Sequence, residues 1–340
     1  MAAKRRNQRG GFFRRIKQLF VLLVLLLLAA AGGLYWYATT PQAQPVPLTF
    51  NVGPGSVKRI AEQLEKQGAT DSALLFRVLA RVSGKETKLK AGVYRIEAPI
   101  APWALLDKLA RGDVVEVVFT IVEGWNWREL RRALTAETQL QGDLATLDDA
   151  ALLKTLKIDA DSPEGQFFPD TYHVNPASSE LALLGRAHAR MQQKLDAAWA
   201  QRAPDLPLKT PQEALILASV IEKETGHGGD RPMIAGVFAN RLKIGMRLQT
   251  DPTVIYGMGE AYAGKLRKID LQTDTPYNTY TRAGLPPTPI AMTGEAALMA
   301  AVRPAATQAL YFVSRGDGTS QFSASLEEHN SAVNRYIRGR

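Results

Sequence analysis

An uncharged stretch of twenty residues near the N-terminus limits the possible folds of this chain more than any other segment. It covers residues 19–38 and reads LFVLLVLLLLAAAGGLYWYA. As a helix it would be about 30 Å long, which matches the hydrocarbon core of a bilayer. We therefore predict a single transmembrane helix. A cleaved signal peptide with an apolar region from Leu19 to Ala31 is the alternative, but the long run without a tight small-residue cleavage site favours retention.

Basic residues cluster directly before this stretch. Residues 1–18 hold seven Lys and Arg residues and no acid, so this tail carries +7 of the net charge of +9. The small excess left for the rest of the chain argues against a nucleic-acid-binding surface. The positive-inside rule keeps such a tail in the cytoplasm and exports the remainder of the chain, with Tyr35, Trp36 and Tyr37 at the far interface.

The chain contains no cysteine and only four histidines. The absence of thiols fits an oxidising compartment and excludes disulfides and thiolate metal sites. His173, His188, His227 and His329 include no pair at i, i+4 spacing, so we predict no metal and no cofactor.

The pattern of strands and helices in the exported part of the chain predicts an α+β fold with two domains. Residues 39–47 are rich in proline and predict a short stiff linker. From residue 48, alternating apolar residues predict a strand, a Gly53-Pro54-Gly55 turn and a helix capped by Ser56. A second helix at about 71–84 has Leu74, Leu75, Val78 and Leu79 at helical spacing, and a third is predicted at 102–111. We place the domain boundary near 118, so the domains would cover residues 48–118 and 119–340.

The turn, serine cap and apolar pair at Ile60 and Ala61 resemble a LysM-type glycan-binding module. A small α+β subdomain without glycan affinity is the alternative. The predicted export of this part of the chain favours the glycan-binding interpretation.

The segment TPQEALILASVIEKET, residues 210–225, predicts the helix that carries chemistry. Thr210 and Glu213 form a predicted capping box, with Pro211 at the first helical position. Helical geometry predicts a polar face with Gln212, Ser219 and Lys223. It places Leu217, Val220 and Ile221 on the opposite, apolar face. These positions fix which glutamate at the end of the helix is buried.

Glu222 and Glu224 differ by two positions, so their side chains point in nearly opposite directions and cannot act as one acid pair. Glu222 lies beside Ser219, where we expect an ordinary solvated carboxylate. Glu224 falls on the apolar face, where lost hydration raises the pKa of a carboxyl group toward that of a general acid. A buried structural glutamate is the alternative for Glu224.

Two later motifs contain polar and aromatic side chains suited to sugars. Gln249, Thr250 and Asp251 precede Pro252 in a polar turn, which turn chemistry alone also explains. Residues 276–290, PYNTYTRAGLPPTPI, place tyrosines and an asparagine between prolines, and such groups stack on and hydrogen bond to pyranose rings.

Several long motifs in series then identify a family. The order EGQFFPDTY (164–172), IEKET, IAGVFANRLKIGMRLQTDPTVIYGMG and PYNTYTRAGLPPTPI resembles the YceG-like family of endolytic murein transglycosylases. The resemblance covers nearly all of the exported chain. It implies a bacterial inner-membrane enzyme with a periplasmic catalytic domain, acting on nascent peptidoglycan strands as a terminase of glycan elongation. It also implies association with wall synthases, the penicillin-binding proteins.

The resemblance assigns roles by position. The catalytic acid falls on Glu224, in agreement with the helical-face argument. The loop Gly226–Asp230 departs from the family pattern, and we assign His227 no role. Positions expected to line or support the glycan cleft are Asn240, Gln249, Thr250, Asp251, Tyr277, Asn278, Thr279, Tyr280, Gln166, Asp170 and Tyr172.

Such enzymes release a 1,6-anhydro end because the C6 hydroxyl of the substrate attacks C1, so one carboxyl group serves both steps. Two alternatives stay open. A muramidase-type hydrolase needs a second carboxylate, with Asp170, Asp251 and Asp274 as candidates. The other alternative is a tether that binds the wall without catalysis and needs no catalytic carboxyl group.

Overall fold

The first element is a long N-terminal helix, α1 (Lys4–Thr39), which contains the predicted apolar stretch. In the computed structural model, the described residues are 4–142, 144–176 and 178–339, with side chains described from Arg14 onward. The first three residues of the predicted basic tail lie outside them. Among the described residues, one helix, spanning Arg14–Thr39, has the length and apolar composition needed to cross a membrane.

The chain divides into two units, Met1–Glu116 and Val117–Arg340. In the first unit, a pair of antiparallel strands packs with three helices. Phe50 lies opposite Tyr94 in the strand pair, and the two rings stack at 5.8 Å in the core. The elements after α1 are β1 (Leu48–Val52), α2 (Val57–Lys66), α3 (Ala73–Val82), β2 (Gly92–Ile96) and α4 (Pro102–Arg111).

These elements confirm the predicted strand, turn and helices, including the Ser56 cap on α2. The apolar residues at helical spacing on α3 do not all face the core. Of the four apolar residues predicted at helical spacing on α3, Leu79 is buried in the core, while Leu74, Leu75 and Val78 are exposed. Phe76 and Ala80 fill the core beside Leu79 instead. Helical spacing identified the helix but not which face it buries.

The stretch between α1 and β1 lies against the first unit through two buried glutamines. The Gln44 amide donates to the carbonyls of Ala69 and Ile100 and accepts from the Ile100 N–H. The Gln42 side chain accepts from the Asp71 N–H. Hydrogen bonds on both sides of these amides hold the segment in place.

The second unit packs its helices around one buried helix. Its elements are β3 (Val117–Thr120), α5 (Trp127–Thr135), α6 (Asp149–Leu156), β4 (Thr171–Val174), α7 (Glu180–Ala200), α8 (Pro211–Glu224), α9 (Arg231–Lys243), α10 (Asp251–Met258), a 3₁₀ turn (Gly259–Ala261), α11 (Lys268–Gln272), α12 (Glu295–Val302), β5 (Tyr311–Ser314), β6 (Ser320–Ser323) and α13 (Leu326–Tyr336). The strands pair antiparallel, β3 with β4 and β5 with β6. The fold is therefore mixed α+β, as predicted.

The centre of this unit is α8, which packs against α7, α9, α10 and α12. Every residue of α8 from Ala214 to Ile221 is buried. A stretch that is surrounded on all sides has no solvent face, so the predicted polar face is wrong at Ser219, whereas Gln212 and Lys223 near the two ends of the helix are exposed. Ser219 is fully buried, donates to the Ile216 carbonyl and accepts from the Ile290 N–H at 2.9 Å.

Candidate active site

The site forms where α8 ends. Its start is set by Thr210, whose hydroxyl accepts from the Glu213 N–H at 3.1 Å. The predicted capping box is incomplete, because the Glu213 carboxylate accepts from the N–H of Lys209 rather than Thr210. The helix stops at Glu224, since the next residue, Thr225, is extended.

Glu222 is not the solvated carboxylate predicted from the sequence. Its side chain is only 5% exposed and pairs with Arg231 at 3.3 Å. Its second oxygen accepts from the Gly294 N–H at 3.0 Å. Burial raises its pKa, and the Arg231 charge opposes that rise. Glu222 thus connects α8 to the starts of α9 and α12, a structural role.

Glu224 is part-buried and points to the turn before α10. The Thr250 hydroxyl donates to its Oε2 at 2.6 Å. Burial raises the pKa of Glu224, and the negative charge of Asp251 raises it further. The Thr250 hydrogen bond and the positive charge of Arg241 lower it, and the net direction is upward. The predicted direction of the pKa is confirmed, but the groups that act on the carboxyl are polar rather than apolar.

Thr250 is held by a buried threonine cluster. Its N–H donates to the Thr279 hydroxyl at 3.1 Å, and the hydroxyls of Thr253 and Thr279 lie 2.8 Å apart. The Gln249 N–H donates to the Thr279 carbonyl at 3.1 Å. Gln249 itself is exposed and adopts a left-handed conformation with φ of 50°, which a non-glycine residue adopts at some cost. The two motifs predicted from the sequence are therefore brought together here.

Asp251 and Tyr280 form the next pair. The Tyr280 hydroxyl donates to Asp251 Oδ1 at 2.6 Å. Burial raises the pKa of Tyr280, and Asp251 raises it further, so the phenol remains a donor. The Tyr280 carbonyl accepts from Arg247 at 3.0 Å, which fixes the loop that carries it.

Arg241 is a residue of this site that the sequence analysis left without a role. Its guanidinium is buried, donates from Nε to the Leu310 carbonyl at 2.7 Å and donates from Nη1 to the Leu248 carbonyl. The charge lies 5.4 Å from the centre of the Tyr311 ring. Its positive charge acts on Glu224 across the site. The available signal was its position beside Asn240 in the IAGVFANRL motif.

Asn240 does not line the cleft at Glu224. Its amide nitrogen donates to the carbonyls of Thr307 at 2.8 Å and Ala309 at 3.1 Å. These bonds hold the segment before β5 against α9. The amide is therefore engaged by the backbone and unsuited to steadying a developing charge.

Tyr277 and Asn278 shape the loop beneath the site. Asn278 is buried, accepts from the Tyr280 N–H at 2.8 Å and donates to the Leu271 and Thr273 carbonyls. The Tyr277 hydroxyl lies 2.9 Å from the Thr288 hydroxyl, and its ring packs edge-on against Tyr256. Their hydrogen bonds support the loop and do not reach Glu224.

Tyr172 lies in β4, and Asp170 directly precedes that strand. Tyr172 is buried and donates to the Phe168 carbonyl at 2.7 Å. Asp170 pairs with Arg190 at 2.7 Å. Gln166 is buried, and within the part of the chain that the structure describes its amide nitrogen has no hydrogen-bond partner.

Glu164 is a second buried acid that the sequence analysis missed. It is 2% exposed, and both carboxylate oxygens accept from the Trp127 N–H at 3.1 and 2.9 Å. Burial raises its pKa to about 7, against the opposing effect of hydrogen bonds from Trp127, Tyr256 and Gly165. Glu164 lies in the segment EGQFFPDTY, where no helical or strand periodicity indicates which side chains are buried.

Across residues 4–142, 144–176 and 178–339, no group of three His, Asp or Glu side chains is arranged to hold a metal ion. At the end of α8 the structure brings together a part-buried carboxyl group and hydroxyl, carboxylate and guanidinium neighbours. Proton transfer to a bound ligand is the reaction that such a group performs.

Comparison with known proteins places the chain in a family. The family model described as YceG-like family matches residues 50–335. A Bacillus subtilis (strain 168) protein named endolytic murein transglycosylase is 32% identical over 308 residues, covering 85% of each chain. A Streptococcus pneumoniae (strain D39) protein of the same name is 28% identical, and the match covers 86% of this chain and 59% of that relative.

A crystal structure of a yceG-like protein from Listeria monocytogenes aligns with a TM-score of 0.55 and 29% identity. The alignment covers 84% of this chain and 98% of that one. Sequence motifs, family model and fold agree. The chain belongs to the YceG-like family.

Proposed function

We propose that this protein is a lytic transglycosylase of peptidoglycan that cuts glycan strands internally. The observation that carries the proposal is the Glu224 carboxyl, part-buried, bonded to Thr250 and raised in pKa at the end of α8. The names of the relatives add the substrate, murein, and the endolytic mode of cutting. The protein would act as a terminase of elongating strands.

Glu224 is the proposed acid and then the base. Protonated Glu224 gives its proton to the oxygen that links C1 of N-acetylmuramic acid to C4 of N-acetylglucosamine. The C1–O bond breaks as oxocarbenium character develops at C1. The C6 hydroxyl of the same muramic residue then bonds to C1, and its proton passes to the Glu224 carboxylate. A 1,6-anhydro end forms, no water is consumed and the carboxyl group is regenerated.

The neighbouring groups have separate proposed tasks. Burial raises the pKa of Glu224, and Asp251 raises it further, which favours the protonated form that the first step needs. Thr250 stabilises the carboxylate after the proton has left, because a hydroxyl donor favours the charged form. Gln249 and Tyr280 would line the adjacent cleft, and the buried Thr279 holds Thr250 in place. Asn278 and Tyr277 support the loop, as Gln166, Asp170, Tyr172 and Asn240 support more distant segments.

A hydrolase is the second candidate because one further carboxylate acts on Glu224. Of the three candidates, Asp170 and Asp274 are paired with arginines, and pairing with Arg282 lowers the pKa of Asp274 to about 2. Asp251 has no arginine partner among the described ion pairs and acts directly on Glu224. It is the group that would activate water in a hydrolytic reaction.

Mass spectrometry of the ends made from purified glycan strands separates the two reactions. A transglycosylase gives 1,6-anhydro ends, whereas a hydrolase gives reducing ends that contain an added water. Reducing ends as the main product would overturn the proposal. Cleavage and sacculus binding by the Glu224→Gln variant, measured in parallel, test the tether alternative. If the protein is an enzyme that uses Glu224, the variant loses cleavage and keeps binding. Unchanged cleavage by the variant removes Glu224 from the mechanism.

We also propose an arrangement of the chain around the membrane. Residues 1–18 would be cytoplasmic, 19–38 would span the bacterial inner membrane, 39–47 would link, and 119–340 would be the periplasmic catalytic domain. Residues 48–118 would be a LysM-like module. Support for it comes from two antiparallel strands with two helices between them and from the Ser56 cap after the glycine turn. Glycan strands and penicillin-binding synthases are the expected partners.

A further inference from the structure

An exposed apolar stripe runs along α3 of the first unit. Leu74, Leu75, Val78 and Val82 are 59%, 38%, 37% and 73% exposed. Spacings of four residues place Leu74, Val78 and Val82 on one face of the helix. The opposite face is buried in the core of the unit. This helix is therefore apolar on both sides, although it is only ten residues long.

The stripe begins where the apolar helix α1 ends. The Tyr37 hydroxyl lies 2.8 Å from the Thr70 hydroxyl and donates to the Ser72 carbonyl at 3.2 Å, and Ser72 caps α3. Tyr37 and Ala38 are buried in the core of the same unit, and Leu34 packs against it. The last turns of α1 are thus built into the domain that carries α3.

The length of α1 fixes the depth of this junction. If Leu19 marks one edge of the hydrocarbon core, Tyr37 lies about 27 Å further along the helix, close to the opposite edge. Tyr35 and Trp36, which are 72% and 68% exposed, suit an interface because their rings are amphipathic. Since Leu34 contacts the domain core one turn earlier, the domain itself meets the membrane surface.

Basic and aromatic groups accompany the stripe. Arg77 and Arg81 lie on α3, and Arg81 pairs with Glu86 at 3.1 Å. On α4, Trp103 is 43% exposed with the Lys85 ammonium 4.4 Å from its ring centre. Apolar residues bordered by arginine, lysine and tryptophan are typical of helices that lie in the headgroup region of a bilayer.

We propose that α3 lies in the membrane surface on the exported side, with the stripe of Leu74, Leu75, Val78 and Val82 among the lipid acyl chains. The first unit then touches the membrane at two places, through α1 and through α3. This inference rests on the proposed membrane span of α1. It gives the exported domain a fixed orientation on the bilayer.

The absence of cysteine makes the test direct, because single cysteines can be labelled in the full chain without a background. The Val78→Cys variant is labelled with the environment-sensitive fluorophore NBD and placed in vesicles of phosphatidylethanolamine and phosphatidylglycerol. Its fluorescence is compared between vesicles with and without lipids that bear a spin-label quencher. Lys58→Cys on α2, an exposed position of the same unit, is the matched control. Leu26→Cys within α1 reports the span.

We expect strong quenching of the label at residue 26. The label at residue 78 should be quenched several-fold more than the label at residue 58. Equal quenching at 78 and 58, with 26 quenched, overturns the inference and leaves the span intact. Absence of quenching at 26 overturns the span and the inference together. A third outcome is a label at residue 78 whose emission is blue-shifted but not quenched. If unlabelled Val78→Cys chains then also form disulfide-linked pairs, a second copy of the chain covers the stripe, and the lipid assignment is overturned.

Discussion

The hydrogen bond from Thr250 to Glu224 can be removed with almost no change in side-chain shape by Thr250→Val. The bond is 2.6 Å long and favours the ionised carboxyl. A hydrogen bond to a charged group contributes about 1.5–3 kcal/mol, and about 1.4 kcal/mol is tenfold in rate. Because Glu224 becomes ionised as it gives up its proton, we expect a fall in kcat of about 10- to 100-fold.

The same change moves the pH dependence in a defined direction. Without the hydroxyl the pKa of Glu224 rises, so the decline in activity at high pH shifts to higher pH while the maximum rate falls. The assay is the initial rate of anhydro-end formation on purified strands between pH 5 and 9. Thr250→Ser, which keeps the donor, is the matched control. Activity of the valine variant within twofold of the wild type, or an equal loss in the serine variant, would refute the reasoning.

Asp251→Asn removes a charge that raises the pKa of Glu224, so the decline in rate at high pH should move to lower pH, opposite to the shift in Thr250→Val. A decline at the same or a higher pH contradicts this prediction. The folded pKa of Glu164 is raised from 4.5 to about 7, so the stability it contributes is present below pH 4.5 and lost as pH rises through 7. Between pH 5 and 8 the wild type should therefore lose about 2.5 kcal/mol more stability than Glu164→Gln, measured by urea unfolding at both pH values; parallel losses in the two proteins contradict this. Glu222→Ala leaves Arg231 with its charge unpaired and should destabilise the protein by about 3 kcal/mol in the same unfolding assay, and an unchanged urea midpoint contradicts the structural role.

The sequence predicted helices well where caps and breakers mark their ends. The predicted helix at 210–225 is α8, Pro211–Glu224, because Thr210 caps its start and the glycines after residue 225 prevent its extension. The upward direction of the Glu224 pKa was also predicted correctly. The helix ends follow from capping chemistry, which is local in the sequence. The pKa direction was right because Glu224 is buried, although the apolar helix face from which it was inferred is not the cause.

The sequence failed where burial depends on distant segments. Glu222 is buried because Gly294 and Arg231 close over it, and no periodicity within α8 encodes that contact. The polar groups that act on the pKa of Glu224 besides its burial come from α9, from the turn before α10 and from the first residue of α10, so helical spacing within α8 could not name them. Asn240 matched a motif, yet its amide binds the backbone near residue 308.

The central claim concerns which of two neighbouring glutamates gives the proton, so the most direct measurement compares Glu224→Gln with Glu222→Gln on the same purified strands. Both changes replace a titratable carboxyl group by an amide and keep an acceptor oxygen, and circular dichroism verifies that both proteins are folded. Loss of a general acid costs about 100- to 10,000-fold in rate, so Glu224→Gln should be nearly inactive while Glu222→Gln still makes anhydro ends. Turnover that survives in Glu224→Gln but disappears in folded Glu222→Gln would contradict the account.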